Sequence, residues 1–195
     1  MMADNFRVND YHDEQMRAMD PYVHAHTMIS EPHRMVHDGF MLNASGKASA
    51  LANGANLDLL IRLPAGVIRH VVLVEFAPSD APLDVFLYED TTVSADGTAV
   101  NIRNHNRTAA DPTVDLMFVG PTVTGVGTLL HQQYIPSTGA LGGQSAGQIV
   151  GSDDQEWILG SPTTEKLYMW RVTNNSGGAI DIGYHFNGYR VGYTE

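Results

Sequence analysis

The segment "AIDIGYHFNGYRV" at residues 179–191 decides the fold class, because its side chains alternate in character. Every second residue from 180 to 186 is apolar, whereas the residues between them are polar or glycine. Alternation with a period of two is typical of a β-strand that buries one face. The same pattern recurs upstream in "LDLLIRL" (57–63), "HVVLVEF" (70–76) and "LDVFLYE" (83–89).

Further segments extend the strand pattern to about nine strands. They are "TAVNIRNHNR" (98–107), "VDLMFV" (114–119), "GTLLHQQYI" (127–135), "QEWIL" (155–159) and "KLYMWRVT" (166–173). Groups of Gly, Pro, Asn and Asp separate the segments, and without crossover helices the strands must pair mainly antiparallel. We therefore predict an all-β fold: an antiparallel, jelly-roll-like β-sandwich of about 8–9 strands. In the segment 70–76, we expect Val72, Val74 and Phe76 to share the buried face.

The composition excludes several classes of function. The chain has 195 residues, no cysteine and a formal net charge of −11. Without cysteine there is no disulfide and no thiolate chemistry, which fits synthesis in a reducing cytoplasm. The acidic balance disfavours nucleic acid and anionic membranes as partners. The first residues lack the apolar run of a secretory signal, and no run reaches the length of a membrane span.

The N-terminal region differs in composition from the rest of the chain. Seven of the nine methionines lie within residues 1–41, and five of the nine histidines lie within residues 1–40. The segment "NDYHDEQMRAMD" (9–20) predicts one short helix, which Pro21 would end. The sequence after it has no sustained period. We therefore expect residues 1–42 to form an extended arm with at most one short helix.

Three regions follow from these patterns: the arm at 1–42, a small-residue linker at 43–56 and the sandwich at 57–195. The arm carries too many apolar residues for a solvated tail, so it needs a surface to lie on. That surface is either the sandwich of the same chain or a partner. The residues that we expect to bind it are Tyr11, Met16, Met19, Tyr22, Val23, Met28, Ile29, Met35, Val36 and Phe40.

The density of histidines in the arm raises the question of a metal site. His24 and His26 form an H-x-H pair, and His33 and His37 are spaced to share one face of a helix. A zinc or iron site would need a third ligand, for which Asp38 and Glu31 are candidates. We expect no bound metal or other cofactor, because no established metal-binding motif completes the set. The histidines are then the polar part of a contact surface, and their protonation near pH 6 is the alternative role.

Two other patterns carry possible chemistry. "GQSAG" (143–147) matches the G-x-S-x-G motif of esterases, but it lies in a small-residue loop and not between a strand and a helix. We therefore expect no enzymatic activity. "NIRNHNR" (101–107) is unusually polar for a strand, so it is either a protected sheet edge or a ligand-binding edge. The side chains of such a ligand edge would be Asn101, Arg103, His105 and Arg107.

Aromatic residues near the C-terminus also have two interpretations. Trp157, Tyr168 and Trp170 can stack on sugar rings, although residues of this kind more often belong to the core.

Several long segments carry a resemblance to a known group of proteins. They are "NIRNHNRT" (101–108), "VGPTVTGVGTLLHQQYIP" (119–136), the Gly-rich loop that follows, and "EWILGSPTTEKLYMWRVTNNSGGAIDIGYHFNGYRV" (156–191). Over roughly residues 45–195 the chain resembles the jelly-roll decoration (cement) and minor head proteins of tailed bacteriophages. The resemblance is one of strand and turn pattern, and it does not extend to the arm.

The resemblance implies a non-enzymatic virion structural protein on the exterior of a capsid. Its partners would be the major capsid protein and further copies of this chain, with a trimer as the expected state. The arm would bind the capsid protein or neighbouring subunits. The alternative is a carbohydrate-binding β-sandwich module of a virion fibre or tail-associated protein, which would use the polar segment 101–107 or the loop at 136–154.

Overall fold

The protein is described by a computed structural model that covers residues 7–10, 13–19, 26–29, 31–78, 81–113, 116–136, 148–150 and 156–191. These ranges contain one helix, α1 (Glu31–His37), and seventeen strands. The strands are β1 (Arg7–Asp10), β2 (Asp13–Met19), β3 (His26–Ile29), β4 (Met41–Leu51), β5 (Asn56–Leu63), β6 (Ile68–Pro78), β7 (Leu83–Glu89), β8 (Thr92–Ala95), β9 (Thr98–Val100), β10 (Arg103–Asn104), β11 (Leu116–Val119), β12 (Thr122–Gly125), β13 (Thr128–Ile135), β14 (Gln148–Val150), β15 (Trp157–Gly160), β16 (Lys166–Asn174) and β17 (Ile180–Val191).

Two six-stranded antiparallel sheets form a sandwich. The first runs in the order β10-β4-β17-β6-β14, and β15 also pairs with β6. The second runs in the order β13-β7-β16-β5-β11-β9. The pairs β4·β17, β5·β16, β6·β15 and β7·β13 are nested, so the chain folds as one long hairpin wrapped into two sheets. This nesting is the jelly-roll arrangement, and it confirms the fold class predicted from the alternation.

The core lies between the two sheets, because each main strand turns one face inward. β7 shows the cause most directly: Leu83, Val85 and Leu87 are fully buried, while the residues between them are only partly buried. Trp170 of β16 packs against Phe76 and Phe186 of the opposite sheet, with ring centroids 6.1 and 6.4 Å apart. Buried aromatic and branched side chains from both sheets therefore form one continuous cluster.

A β-bulge in β6 alters the alternation predicted for this strand. The register with β17 shifts between Asn187 and Gly188, so that Val72 has no partner in the ladder. Beyond the bulge the inward positions are Arg69 and Val71, whereas Val72 packs on the outer face. The prediction that Val72 shares the buried face of the strand is therefore wrong, because a bulge adds one residue and changes the phase of the pleat.

The segment between β7 and β13 adds strands to one edge of each sheet. β8 and β12 pair as its two arms, β9 and β11 extend the second sheet beyond β5, and β10 extends the first sheet beyond β4. The strand predicted at 98–107 is therefore broken into β9, β10 and a turn. Asn and Asp side chains bond the backbone in this turn and replace the strand ladder.

The N-terminal region contains strands where the sequence predicted a helix. The segment 9–20 contributes to β1 and β2, and β2 also pairs with β3 to give a three-stranded antiparallel sheet. A helix of about ten residues is marginal alone, whereas β2 finds backbone partners on both sides. The helix lies later, in α1, where Pro32 occupies the first turn and needs no hydrogen-bond partner for its nitrogen.

The small-residue segment predicted as a linker at 43–56 is also corrected. Most of it belongs to β4, which lies between β10 and β17 inside the first sheet. A glycine is needed at position 46 because the ring of Tyr184 lies over it, and an added Cβ would come within 2.2 Å of the tyrosine oxygen. The sandwich therefore begins at Met41 and not at Leu57.

Candidate functional site

A tightly bonded polar turn follows β10 and includes the residues predicted as a ligand edge. Its centre is Asn104, which is only 3% exposed. The Asn104 amide donates to the carbonyl oxygens of Gly39 at 2.6 Å and Ala110 at 3.3 Å. The Asn104 side-chain oxygen accepts from the backbone N–H of Asn106 at 2.9 Å. This side chain thereby joins the start of β4 to both ends of the turn.

Asp111 closes the turn and engages two of the predicted ligand residues. Its carboxylate accepts from the backbone N–H of Asn104 at 2.8 Å, from Arg103 at 2.7 Å and from Arg107 at 2.8 Å. The backbone hydrogen bond from Asn104, followed by those from the two arginines, holds the pKa of Asp111 far below its ordinary value. Arg103 and Arg107 therefore shape the turn, and their guanidinium groups already bind a carboxylate.

The other two members of the predicted edge have different surroundings. His105 approaches Asn187 of β17 at 3.1 Å, while Asn101 is exposed between β9 and β10. The four residues Asn101, Arg103, His105 and Arg107 are all exposed, but they do not form a row along one strand. Sequence reasoning missed Asn104 and Asp111, although the density of Asn and Asp in "NIRNHNRTAAD" is typical of side chains that bond a turn.

A cleft of about 360 Å³ opens beside this turn at one end of the sandwich. Phe40 and Leu42 form one wall, the turn residues 110–113 form another, and Arg69 and Arg190 border it from β6 and β17. Its volume lies in the range of small-molecule sites. The walls combine an aromatic ring and aliphatic groups with charged groups, as small-molecule sites commonly do.

Arg69 is the unusual residue of the cleft, because its guanidinium is almost buried. It is 8% exposed, and its side chain lies between the cleft and a second, apolar cavity of about 70 Å³ among Leu63, Met117 and Phe186. Burial, and next the positive charge of Arg190, lower the pKa of Arg69 to about 10. The two arginines are register partners on adjacent strands, so the sheet brings two positive charges to one opening.

The helix α1 shows where one part of the arm lies. Met35 is 8% exposed and buried with Met41 and Tyr189 on the outer face of the first sheet, and Val36 packs beside them. The carbonyl oxygen of His37 accepts from Asn106 at 2.9 Å, which attaches the end of α1 to the polar turn. The arm therefore folds back on its own sandwich at α1.

The other residues predicted to bind a surface are divided among three situations. Phe40 is 48% exposed and forms a wall of the cleft. Four lie on strands of the N-terminal sheet, namely Met16, Met19, Met28 and Ile29. Three lie outside the described residues, namely Tyr11, Tyr22 and Val23.

The histidines of the arm are only partly described. His33 and His37 stack on one face of α1, as their spacing predicted, with ring centroids 4.7 Å apart and their Nε2 atoms 2.8 Å apart. His26 lies on β3, and His24 lies outside the described residues. Within the described ranges no three His, Cys, Asp or Glu side chains are grouped as metal ligands.

A polar cluster around His70 was not predicted from the sequence, and it adjoins α1 through Tyr189, which packs with Met35. His70 binds Glu156 through its Nε2 atom at 2.5 Å and the hydroxyl of Tyr189 through its Nδ1 atom. Tyr189 itself is 5% exposed and packs with Met35 and Met41. The arrangement anchors β15, β6 and β17 to one another.

The remaining residues that the sequence offered as candidates either pack in or against the core or lie outside the described residues. Trp170 and Tyr168 are buried in the core, and Trp157 packs against it. Ser145 of the G-x-S-x-G motif lies outside the described residues.

One sheet edge is long and uncharged. Among the described strands the edge strands β9, β10, β14 and β15 have two to four residues, whereas β13 has eight and no charged side chain. Leu129 and Tyr134 on β13 are large exposed apolar residues, and so is Ile158 on β15, which pairs with β6 of the other sheet. A long edge without charges is open to pairing with another chain.

Comparisons with known proteins do not assign the chain to a family. No family model matches it, and none of the curated proteins matches it significantly in sequence. Within the described part of the chain, no helix is long and apolar enough to span a membrane.

Proposed function

We propose that the protein is a non-enzymatic structural component of a tailed-phage virion, which decorates and stabilises the capsid exterior as a homo-oligomer. The observation that carries the proposal is the jelly-roll strand order, joined to an N-terminal segment whose described strands form a separate three-stranded sheet. The described members of the main core cluster begin at Ala44. We assign to residues 1–30 the binding of the major capsid protein or of a neighbouring subunit.

Two surface features support an assembly role. The edge strand β13 exposes Leu129 and Tyr134, and its lack of charge lets copies of an acidic protein approach one another there. Many copies on a closed shell would add their contacts, so each contact need not be strong. We expect a trimer, which light scattering after size-exclusion chromatography measures as three times the mass of one chain.

The alternative, a carbohydrate-binding module, has weaker support because the residues predicted to bind a sugar have other contacts in the structure. Arg103 and Arg107 each donate from one guanidinium nitrogen to Asp111, so part of their donor capacity is already used within the turn. Trp170 and Tyr168 are buried in the core and do not present a face for stacking.

The test is attachment to capsids assembled from the major capsid protein of the genome that encodes this chain. A chain that lacks residues 1–30 keeps α1, whose removal would uncover Met41 and Tyr189. We expect the full-length chain to sediment with capsids and the truncated chain to stay in the supernatant, folded and soluble. A chain in which a Gly/Ser segment of equal length replaces residues 1–30 is the matched control, and it should also fail to attach.

Two results would contradict the proposal in different ways. Full decoration by the truncated chain would show that the arm is not the anchor. Failure of the full-length chain to attach to capsids, together with its absence from purified virions, would remove the virion role itself.

A further inference from the structure

Two histidines of α1 lie on the side of the helix that faces away from the sandwich. His33 comes two residues before Met35 and His37 two residues after it, and two residues correspond to about 200° of rotation around a helix. Met35 is buried, whereas both histidines are exposed. Their spacing of four residues places them on one face of the helix, where their Nε2 atoms lie 2.8 Å apart.

The close approach of the two Nε2 atoms suits a shared metal ion. In this contact one imidazole donates its proton and the other accepts it, since a ring nitrogen is either a donor or an acceptor. A zinc ion can take the place of that proton, because the neutral imidazole nitrogen is one of its preferred ligands. Two nitrogens bound tetrahedrally to one zinc ion lie about 3.3–3.4 Å apart. The pair would therefore need to open from 2.8 Å by only about 0.5–0.6 Å.

The docking of α1 holds the pair on an ordered turn. Met35 lies between the two histidines in the chain and belongs to the cluster that packs α1 on the first sheet. The carbonyl oxygen of His37 accepts from Asn106 at 2.9 Å, which attaches the end of the helix to the polar turn. Because the backbone that carries both ligands is already fixed, less conformational freedom is lost when an ion binds.

The surroundings of the pair admit a cation. The chain has a formal net charge of −11, and a protein of this sign attracts cations to its surface. No third His, Cys, Asp or Glu side chain of the described residues is grouped with the pair. Two protein ligands leave coordination positions open, which water or a side chain of a neighbouring molecule can fill.

We propose that His33 and His37 together bind a divalent transition-metal ion, for which zinc is the probe, and that the bound ion fastens the last turn of α1. Metals of this group accept imidazole ligands, whereas Mg²⁺ prefers oxygen ligands. The sequence predicts no bound metal because no motif completes a ligand set, but the approach of the two rings is visible only in the structure. The site is independent of the virion role, since its test needs no capsid.

Hydrogen exchange of the full-length protein in the presence of zinc tests the site. The backbone amides of Asp38 and Phe40 donate hydrogen bonds of 2.9 Å at the end of α1, and they exchange when this turn opens. Opening separates His33 from His37, so an ion bound to both slows exchange by one plus the ratio of the zinc concentration to the dissociation constant. We expect a slowing of about tenfold at about 1 mM zinc, which corresponds to a dissociation constant of about 0.1 mM. Magnesium at the same concentration should have little effect.

Matched variants separate this pair from the other histidines of the chain. His33→Gln and His37→Gln each remove one ligand and should abolish the slowing, because a single imidazole does not chelate the ion. His185→Gln removes a partly exposed histidine of β17 and should leave the slowing unchanged. Each variant is compared with its own exchange rate without zinc.

Three results would overturn the proposal. The first is the absence of slowing at about 1 mM zinc, since a dissociation constant of about 0.1 mM requires it. The second is slowing that persists in either of the two α1 variants. The third is equal slowing by magnesium, which would reflect the neutralisation of an acidic chain and not coordination by imidazole.

Discussion

Replacement of Met35 by alanine should release α1 from the sandwich without unfolding the sandwich itself. Met35 is buried in a small cluster with Met41 and Tyr189, which is separate from the main core. Truncation of a buried methionine to alanine costs about 2–5 kcal/mol, and a cluster at the surface lies at the lower end because solvent can refill the space. A cost of about 2 kcal/mol raises the undocked fraction of α1 roughly thirtyfold.

Hydrogen exchange measures this release directly. The backbone amides of Asp38 and Phe40 donate to the carbonyl oxygens of Arg34 and Met35, both at 2.9 Å, so their protection reports the docked helix. We expect these two amides to exchange about thirty times faster in Met35→Ala, while the denaturant midpoint of the sandwich stays nearly unchanged. Phe40→Ala is the control, because Phe40 is half exposed and should change stability by less than about 0.5 kcal/mol.

Two results would refute this reasoning. If protection in α1 and in the sandwich fell together, the helix would belong to the same cooperative unit as the core. If the two amides kept their protection, the contact of Met35 with Tyr189 would not hold the helix in place. Either result would remove the conclusion that the arm folds back at α1 through this side chain.

Four further predictions concern the sandwich and the polar turn. Trp170→Ala should lower the free energy of unfolding by about 3–5 kcal/mol. Trp170→Phe should lower it by only about 1 kcal/mol, because the buried indole N–H that it removes has no acceptor among the described residues. Urea titration of both variants measures the difference. Asp58→Asn should lower the free energy of unfolding by about 1–2 kcal/mol in the same assay, because it breaks a half-buried pair of 2.7 Å hydrogen bonds with Arg171. If Asp58→Asn lowered it by the same amount in a protein that already carries Arg171→Ala, the pairing would be contradicted. Gly127→Ala should lower the melting temperature, because Gly127 has a φ of +87° and an added Cβ would lie 2.1 Å from a carbonyl oxygen of β7; an unchanged melting temperature would contradict this close approach. The pKa of Asp111 is lowered in the folded chain by a backbone amide and two arginines, so its contribution to stability is present above its ordinary pKa of 3.8 and is lost as the pH falls further. Asp111→Asn should therefore flatten the acid limb of the curve of stability against pH. An unaltered acid limb would contradict the role of this carboxylate.

Much of the fold could be predicted because strands with one buried face alternate in the sequence. The segment predicted at 83–89 coincides with β7, and the segment at 166–173 lies within β16. The same rule fails for β4, because its small residues give no alternation and are typical of a linker. Gly46 has no room for a side chain because the ring of Tyr184 lies over it, and that contact joins residues far apart in the chain.

The candidate site was less predictable than the fold. The polar segment at 101–107 indicated the right region, but it pointed to arginines that bind Asp111 and not to those that line the cleft. The division of the arm into a docked helix and a preceding sheet depends on contacts of α1 with the sandwich, which have no local signal.

The sequence by itself determined the class of fold, the antiparallel pairing and the acidic character, because period-two alternation, turn residues and charge are local properties. Only the tertiary structure decided where the two arginines of the cleft would lie. The bulge at Val72 changes the phase of β6 and turns Arg69 inward, and the register with β17 then brings Arg190 beside it. Both events depend on the pairing of strands that are distant in the chain, and a local pattern does not contain that pairing.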